Sequence, residues 1–237
     1  MTYSFAVKVW LGGVILALLI CAGIAVGVAL PGRETSSIGE TIILPHPRYD
    51  SKTSIEKALL ERRSVREYKN DPLSLSEISQ LLWSAQGTTD RTKTLRTAPS
   101  AGALYPLEIY IVAVNVKDLP PGIYRYKPQG HKLITIMKGD KRAEVFNAAF
   151  HQSPVKEAPA IIVFSAVFKR TTAKYGERGT RYVHMEAGHA AQNVYLQAVS
   201  LDLGTVVIGA FDDDELKRAM NMPREEEPLY IMPVGRK

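Results

Sequence analysis

Residues 9–30, VWLGGVILALLICAGIAVGVAL, run for 22 positions without a charged side chain. Wound as an α-helix the stretch is roughly 33 Å long, which matches the hydrocarbon core of a bilayer. The expectation is one uncleaved N-terminal transmembrane helix: an anchor over residues 1–31, then a linker or arm over 32–50 and a folded domain over 51–237. A secretory signal peptide is the alternative, because Gly27-Val28-Ala29 offers small residues for cleavage. Such leaders, however, use only ~7–15 apolar residues. Lys8 at one end and Arg33 and Arg48 at the other split the charge too evenly for the positive-inside rule to orient the chain.

The chain has 237 residues, 46% of them hydrophobic, enough to bury one sizeable core. Its net charge of +6, from 30 basic and 24 acidic residues, would permit an anionic partner. The basic residues are spread along the chain, with no zinc-finger spacing, helical basic arm or basic stripe interleaved with aromatics. No nucleic-acid partner is therefore expected. The excess charge suits solubility and an anionic ligand. The single cysteine, Cys21, lies inside the apolar run, so the folded part has no disulfide, no cysteine metal site and no thiol nucleophile. Redox chemistry would need a borrowed cofactor.

Folding signals begin near residue 53. Thr53 with Glu56 predicts a capping box for a short helix whose Ile55, Ala58 and Leu59 share a face. Ser74 with Glu77 predicts a second, followed by Ile78, Leu81, Leu82 and Ala85 at helical spacing until Gly87. EIYIVAVN (108–115), AIIVFSAV (160–167), TVVIGAF (205–211) and PLYIMPVG (228–235) read as buried strands. GIYRYKPQGHKLITIM (122–137) reads as two strands about a turn at Gln129-Gly130. Residues 182–200 read as a helix whose Ala187, Gly188, Ala190 and Ala191 permit close packing, and Asp212 or Asp213 caps a helix over DELKRAMNM. Strands and helices mix without regular βαβ alternation, which predicts an α+β domain with helices packed on one central mixed or antiparallel sheet.

RRSVR (62–66) places three arginines beside a serine directly after a helix end. Guanidinium forks match phosphate oxygens, so the stretch reads either as a phosphate site or as a solvated charged turn. Neither G-x-G-x-x-G after a first strand nor G-x-x-x-x-G-K-[ST] is present, so any phosphate would be gripped by side chains. Glu186 and His189 have usable helical spacing but lack a third ligand, so no metal site is expected. His189, Gln192 and Asn193 read as interface hydrogen-bonding groups, and His131 and His184 show no partner in sequence.

RRSVREY (62–68), LLWSAQG (81–87), PSAGALYPLEIYIV (99–112), GHAAQNVYLQA (188–198), LGTVVIGAFDDDEL (203–216) and PVG (233–235) follow one another in an order that resembles the nitroreductase superfamily of flavin enzymes. The resemblance is greatest to the SagB-type, or thiazole/oxazole (McbC-like), dehydrogenase branch. It implies a nitroreductase-like α+β fold acting as a homodimer, with FMN held noncovalently at the subunit interface. By the same resemblance Arg62, Arg63 and Ser64 contact the flavin phosphate and ribityl chain, and Arg66 lies near the pyrimidine edge. A cation there would favour the anionic reduced flavin. Pro99, Ser100, Ala101 and Gly102 match the loop that reaches FMN from the neighbouring subunit. The backbone at Ile208 and Gly209 matches the strand end facing the ring, and Arg236 or Lys237 a basic position that reaches the phosphate.

Azoline-oxidising relatives carry a Lys-Tyr pair in a segment similar to TTAKYGERGTRY, here Lys174 and Tyr175. The resemblance implies that this pair is catalytic. Desaturating an azoline sends a hydride to the flavin while a base removes a carbon-bound proton, and a lysine with a depressed pKa suits that task. The expected function is an FMN-dependent oxidoreductase acting on a small-molecule or peptide substrate, with oxidation of azolines to azoles in a modified peptide as its specific form. NAD(P)H-dependent reduction of nitro compounds or quinones, with NAD(P)H as electron donor, is the alternative on the same fold. A membrane-tethered flavin-binding module without turnover is the alternative of another class. The expected location is a single-pass membrane protein, with flavin loading favouring a cytoplasmic domain.

Overall fold

Ser74 and Glu77 close their capping box: Ser74 N–H donates to Glu77 Oε2 at 2.8 Å, and Glu77 N–H donates to Ser74 Oγ at 3.2 Å. Helix α2 (Leu75–Gln86) therefore starts where the sequence predicts, and it ends at Gly87. The preceding helix α1 (Ile55–Glu61) is capped one residue later than expected, by Ser54, whose Oγ accepts from Lys57 N–H at 3.2 Å. Thr53 is diverted, its N–H going to Ser51 Oγ at 3.1 Å. Of the face expected on α1 only Ala58 is buried; Ile55 and Leu59 are more than half exposed.

The computed structural model describes residues 39–90, 92 and 94–237. Among these, seven strands form one sheet: β1 (Thr41–Ile43), β2 (Leu107–Ala113), β3 (Gly122–Lys127), β4 (Lys132–Lys138), β5 (Ala160–Ala166), β6 (Leu203–Thr205) and β7 (Glu227–Arg236). Their order across the sheet is β1-β4-β3-β2-β5-β7-β6, and every neighbouring pair is antiparallel. The central strands β2 and β5 are buried at every position, which is why they are continuous apolar runs.

Alternation along β2 divides the core. Ile109 and Ile111 pack with Ile78, Leu81 and Leu82 of α2 and with Val183, Ala187 and Ala190 of helix α6 (Arg178–Ser200). Tyr110 and Val112 point the other way, to Val145 of α3 (Arg142–Ala148), Val155 of α4 (Ser153–Glu157) and Leu216 of α7 (Asp213–Ala219). Helices thus cover both faces of the antiparallel sheet. Gly188 is not part of the small-residue contact: it is exposed, and a Cβ there would meet nothing within 4 Å.

Two local readings change. The strand expected over 205–211 pairs with β7 only up to Thr205 and then rejoins it at Ile208, which exchanges hydrogen bonds with Ile231 at 2.8 and 2.9 Å. Between them the Val207 N–H leaves the ladder for the Tyr195 hydroxyl, at 2.8 Å. His131, which has no evident partner in sequence, is a hub: its Nδ1 is 2.8 Å from Tyr126 Oη and its Nε2 is 2.6 Å from Ser79 Oγ and 3.1 Å from Pro45 O. These contacts fix the arm after β1 against α2.

The expectation of a membrane-spanning helix before this fold, and of a single-pass membrane location, is corrected. Among the described residues no helix is long and apolar enough to cross a membrane. The run 9–30 on which that expectation rested lies outside the described residues.

Candidate functional site

The arginine-rich stretch leaves α1 and runs beside the edge of the sheet. Ser64 bridges to Thr205, Val65 N–H donates to Thr205 O at 2.9 Å, and Lys69 N–H donates to Arg236 O at 2.9 Å. The approach is close: a Cβ on Gly204 would stand 2.6 Å from Val65 Cγ1. Tyr195 of α6 organises the stretch. The Arg62 guanidinium lies 5.2 Å above its ring, and its hydroxyl is 3.1 Å from Ser64 Oγ while accepting from Val207 N–H. One tyrosine therefore joins the arginine-serine segment to the segment that carries Ile208 and Gly209.

Arg63 folds back on the helix end, with Nη1 donating to Leu60 O at 3.0 Å and Arg62 O at 2.7 Å; Arg66 is exposed. Ile208 is buried, but Gly209 is exposed, and a Cβ there would find only Tyr230 Cε1, at 4.0 Å. The backbone at Gly209 is therefore open. Arg236 is instead paired with Glu77, Nη1 to Oε1 at 2.9 Å and Nη2 to Oε2 at 3.1 Å, and Lys237 Nζ reaches Asp202 Oδ1 at 3.1 Å.

A second group forms around the 99–102 loop. Ser100 Oγ accepts from Tyr105 N–H at 2.9 Å, and residues Ala101–Ala103 make one 3-10 turn. Gly102 has φ 62°, the left-handed region that favours glycine. A Cβ there would lie 2.8 Å from Tyr175 Oη and 3.1 Å from Lys174 Nζ. Those two residues end helix α5 (Lys169–Tyr175), which Gly176 terminates with φ 59°. The Tyr175 ring is set edge-on to Tyr182 at 5.3 Å, and Lys174 Nζ stands 5.4 Å from the Tyr175 ring centre.

Behind the loop lies a buried polar chain. Arg96 stacks on Tyr105 at 4.3 Å and donates to Gln86 Oε1 at 3.0 Å, and Gln86 Nε2 donates to Glu186 Oε1 at 3.4 Å. Burial pushes the Glu186 carboxyl up to about 7, against the hydrogen bond from Ser100, the charge of Arg96 and the contact with Gln86. His189 is exposed, whereas Asn193 donates to Thr97 O at 3.3 Å within the chain. Tyr195, Gln86, Arg96 and Glu186 are absent from the site residues read from sequence. Glu186 carried a usable signal: an acid on the same helical face as Ala187, Ala190 and Ala191 must be buried with them.

An antiparallel sheet with helices on both faces thus carries an arginine-serine segment at its edge, joined through Tyr195 to the backbone leading to Ile208 and Gly209. The chain belongs to the nitroreductase family, whose family model matches residues 59–236. It is 45% identical over 200 residues to a protein of Methanocaldococcus jannaschii named as a nitroreductase, covering 84% of this chain and 99% of that one. It is 28% identical to the Microcin B17-processing protein McbC of Escherichia coli over 69% of this chain and 62% of McbC. Among solved structures, one described as a nitroreductase from Anabaena variabilis superposes with a TM-score of 0.74 at 31% identity, over 84% of this chain and 42% of that one. The chain is accordingly a nitroreductase-family oxidoreductase.

Proposed function

We propose that the chain is an FMN-dependent dehydrogenase that oxidises azoline rings in a modified peptide to azoles. The observation that supports this reading is the approach of Gly102, in the 99–102 loop, to Tyr175 Oη and Lys174 Nζ. The likeness to McbC, named as a Microcin B17-processing protein, supports a peptide substrate.

The residues fit FMN by their donor chemistry. Arg62, Arg63 and Ser64 supply cationic and hydroxyl donors for a phosphate and ribityl chain, Arg66 supplies a cation for the pyrimidine edge, and Gly209 lets a flat ring approach the backbone beyond Ile208. Arg236 and Lys237 would have to leave Glu77 and Asp202 to join them. In the homodimer of this reading, Pro99, Ser100, Ala101 and Gly102 of one protomer would help hold the flavin of its partner. Bound FMN supplies a two-electron acceptor for the hydride. Lys174 Nζ is the group that takes the proton from the neighbouring ring carbon, and Tyr175 orients the substrate and the amine. Turnover would need a separate two-electron acceptor, dioxygen or another oxidant, to take the electrons on.

The test is the visible spectrum of the purified full chain, before and after heat release of any chromophore, with mass analysis of what is released. Released FMN supports the reading, and a colourless protein that also fails to take up added FMN overturns it. A second reading, NAD(P)H-dependent reduction of nitro compounds or quinones, is favoured by the archaeal relative that matches over nearly its whole length. Flavin-dependent NADPH oxidation driven by a quinone, insensitive to Lys174→Ala, would select it. A flavin-binding module without turnover would keep FMN and show no activity that responds to Lys174 or Tyr175.

A further inference from the structure

A cavity of about 580 Å³ lies at the end of the sheet next to the 99–105 loop, walled by Arg96, Lys127, Lys132 and Arg170, with Glu108 and Gln86 between them. Its volume is that of a small-molecule site. Its charge is one-sided. Glu108 is already engaged by Arg125 Nε at 3.0 Å and by Arg170 Nη2 at 2.6 Å, while Lys127 Nζ stands off at 3.9 Å. Arg125 is also shared with Glu226, at 2.6 Å. Four cations thus line a wall with one carboxylate, and of the four only Arg170 is held by it at hydrogen-bonding distance.

The placement of the lysines is costly in itself. Lys127 and Lys132 are directly opposite one another in the β3–β4 ladder, so both side chains leave the same face of the sheet. Like charges at such a pair are destabilising. Burial, with repulsion from Arg125 and Arg170 set against attraction to Glu108 and Glu226, holds the Lys127 ammonium below the usual lysine range. Arg96 is likewise held below its usual range, chiefly by burial. A guanidinium cannot shed its charge to relieve this.

We propose that this cavity binds a small oligoanion, a ligand with at least two neighbouring phosphate or carboxylate groups, bridged by Lys127 and Lys132 and flanked by Arg96 and Arg170. The site is separate from the arginines at the end of α1 and does not depend on the flavin reading. It shares a wall with the loop: Arg96 stacks on Tyr105, and Arg170 Nη1 donates to Tyr105 O at 3.1 Å. A bound anion therefore draws on the same two guanidiniums that hold the base of the 99–102 turn.

Inorganic pyrophosphate is the probe. It is titrated calorimetrically into the purified full chain with FMN in excess, so that the phosphate-binding groups of the α1 end are occupied. One pyrophosphate per chain is expected, with affinity at least tenfold lower in Lys127→Gln and in Lys132→Gln, unchanged in Arg63→Gln, and lower in about 0.5 M than in about 0.05 M salt. Absence of saturable binding, or binding lost in Arg63→Gln and kept in the lysine variants, overturns the proposal. Melting temperature guards against misfolding: Lys132→Gln without pyrophosphate should melt no lower than wild type, and a given concentration of pyrophosphate should raise the wild-type value more than the variant's. A variant that melts lower removes the repulsion on which the site rests. Competition of pyrophosphate with NADPH but not NADH would identify the anion as the donor's extra phosphate, and binding without such competition would identify a free anion.

Discussion

The hydroxyl of Tyr195 stands 3.1 Å from Ser64 Oγ and, on its other side, accepts the Val207 N–H at 2.8 Å. Tyr195→Phe should leave that amide without its partner and cost about 1–2 kcal/mol of stability. With Ser64 released, FMN affinity should fall several-fold. Urea denaturation and flavin titration of the variant measure both, and wild-type values in each would show that the tyrosine is only packing.

A side chain at Gly102 is disfavoured for two independent reasons. Its φ of 62° disfavours an L residue, and a Cβ would press on Tyr175 Oη. Gly102→Ala should destabilise by about 1–2 kcal/mol. Adding Tyr175→Phe removes the obstructing hydroxyl, so the double variant should recover part of the loss. Strict additivity of the two changes would refute the contact.

Glu186 gives the pH dependence a sign. Its carboxyl rises from 4.5 to about 7 on folding, so the native state holds the proton more tightly than the unfolded chain. The stability this contributes is fully present below the unfolded value and is lost as pH rises through about 7. Glu186→Gln stays neutral throughout. Relative to wild type it should gain stability between pH 5 and pH 8, by up to about 3 kcal/mol. Parallel pH profiles of denaturation midpoint for the two proteins would contradict this.

Lys174→Ala should retain wild-type flavin content while azoline oxidation falls by about 10²–10⁴-fold, the usual contribution of a positioned base. Tyr175→Phe should fall less. Turnover per bound flavin is the quantity to compare, because it separates chemistry from cofactor loading.

What the sequence made legible was what each segment decides by itself. The second helix carries its own capping box and stop, and the runs at 107–113 and 160–166 are apolar throughout because both their faces are covered. The stretch 205–211 reads as one strand because the group that breaks its ladder, Tyr195, belongs to another element. Thr53 and Ser54 compete for one cap, and only the neighbouring Ser51 decides between them. The arginine-serine segment was visible as chemistry. The meeting of Gly102 with Tyr175, the burial of Glu186 and the facing of Lys127 by Lys132 depend on how distant segments fold together, and no local pattern announces them.

Strand β7 sits inside the sheet, between β5 and β6, yet follows every other strand of that sheet in the chain. During synthesis β5 emerges with one flank unclaimed, and β6 meets only the bridge to Ser64 until residues 227–236 clear the ribosome. The nascent chain thus carries an apolar, unpaired strand edge until that strand is made. Premature stalling upstream of residue 227 should yield a species that recruits holdase chaperones or self-associates.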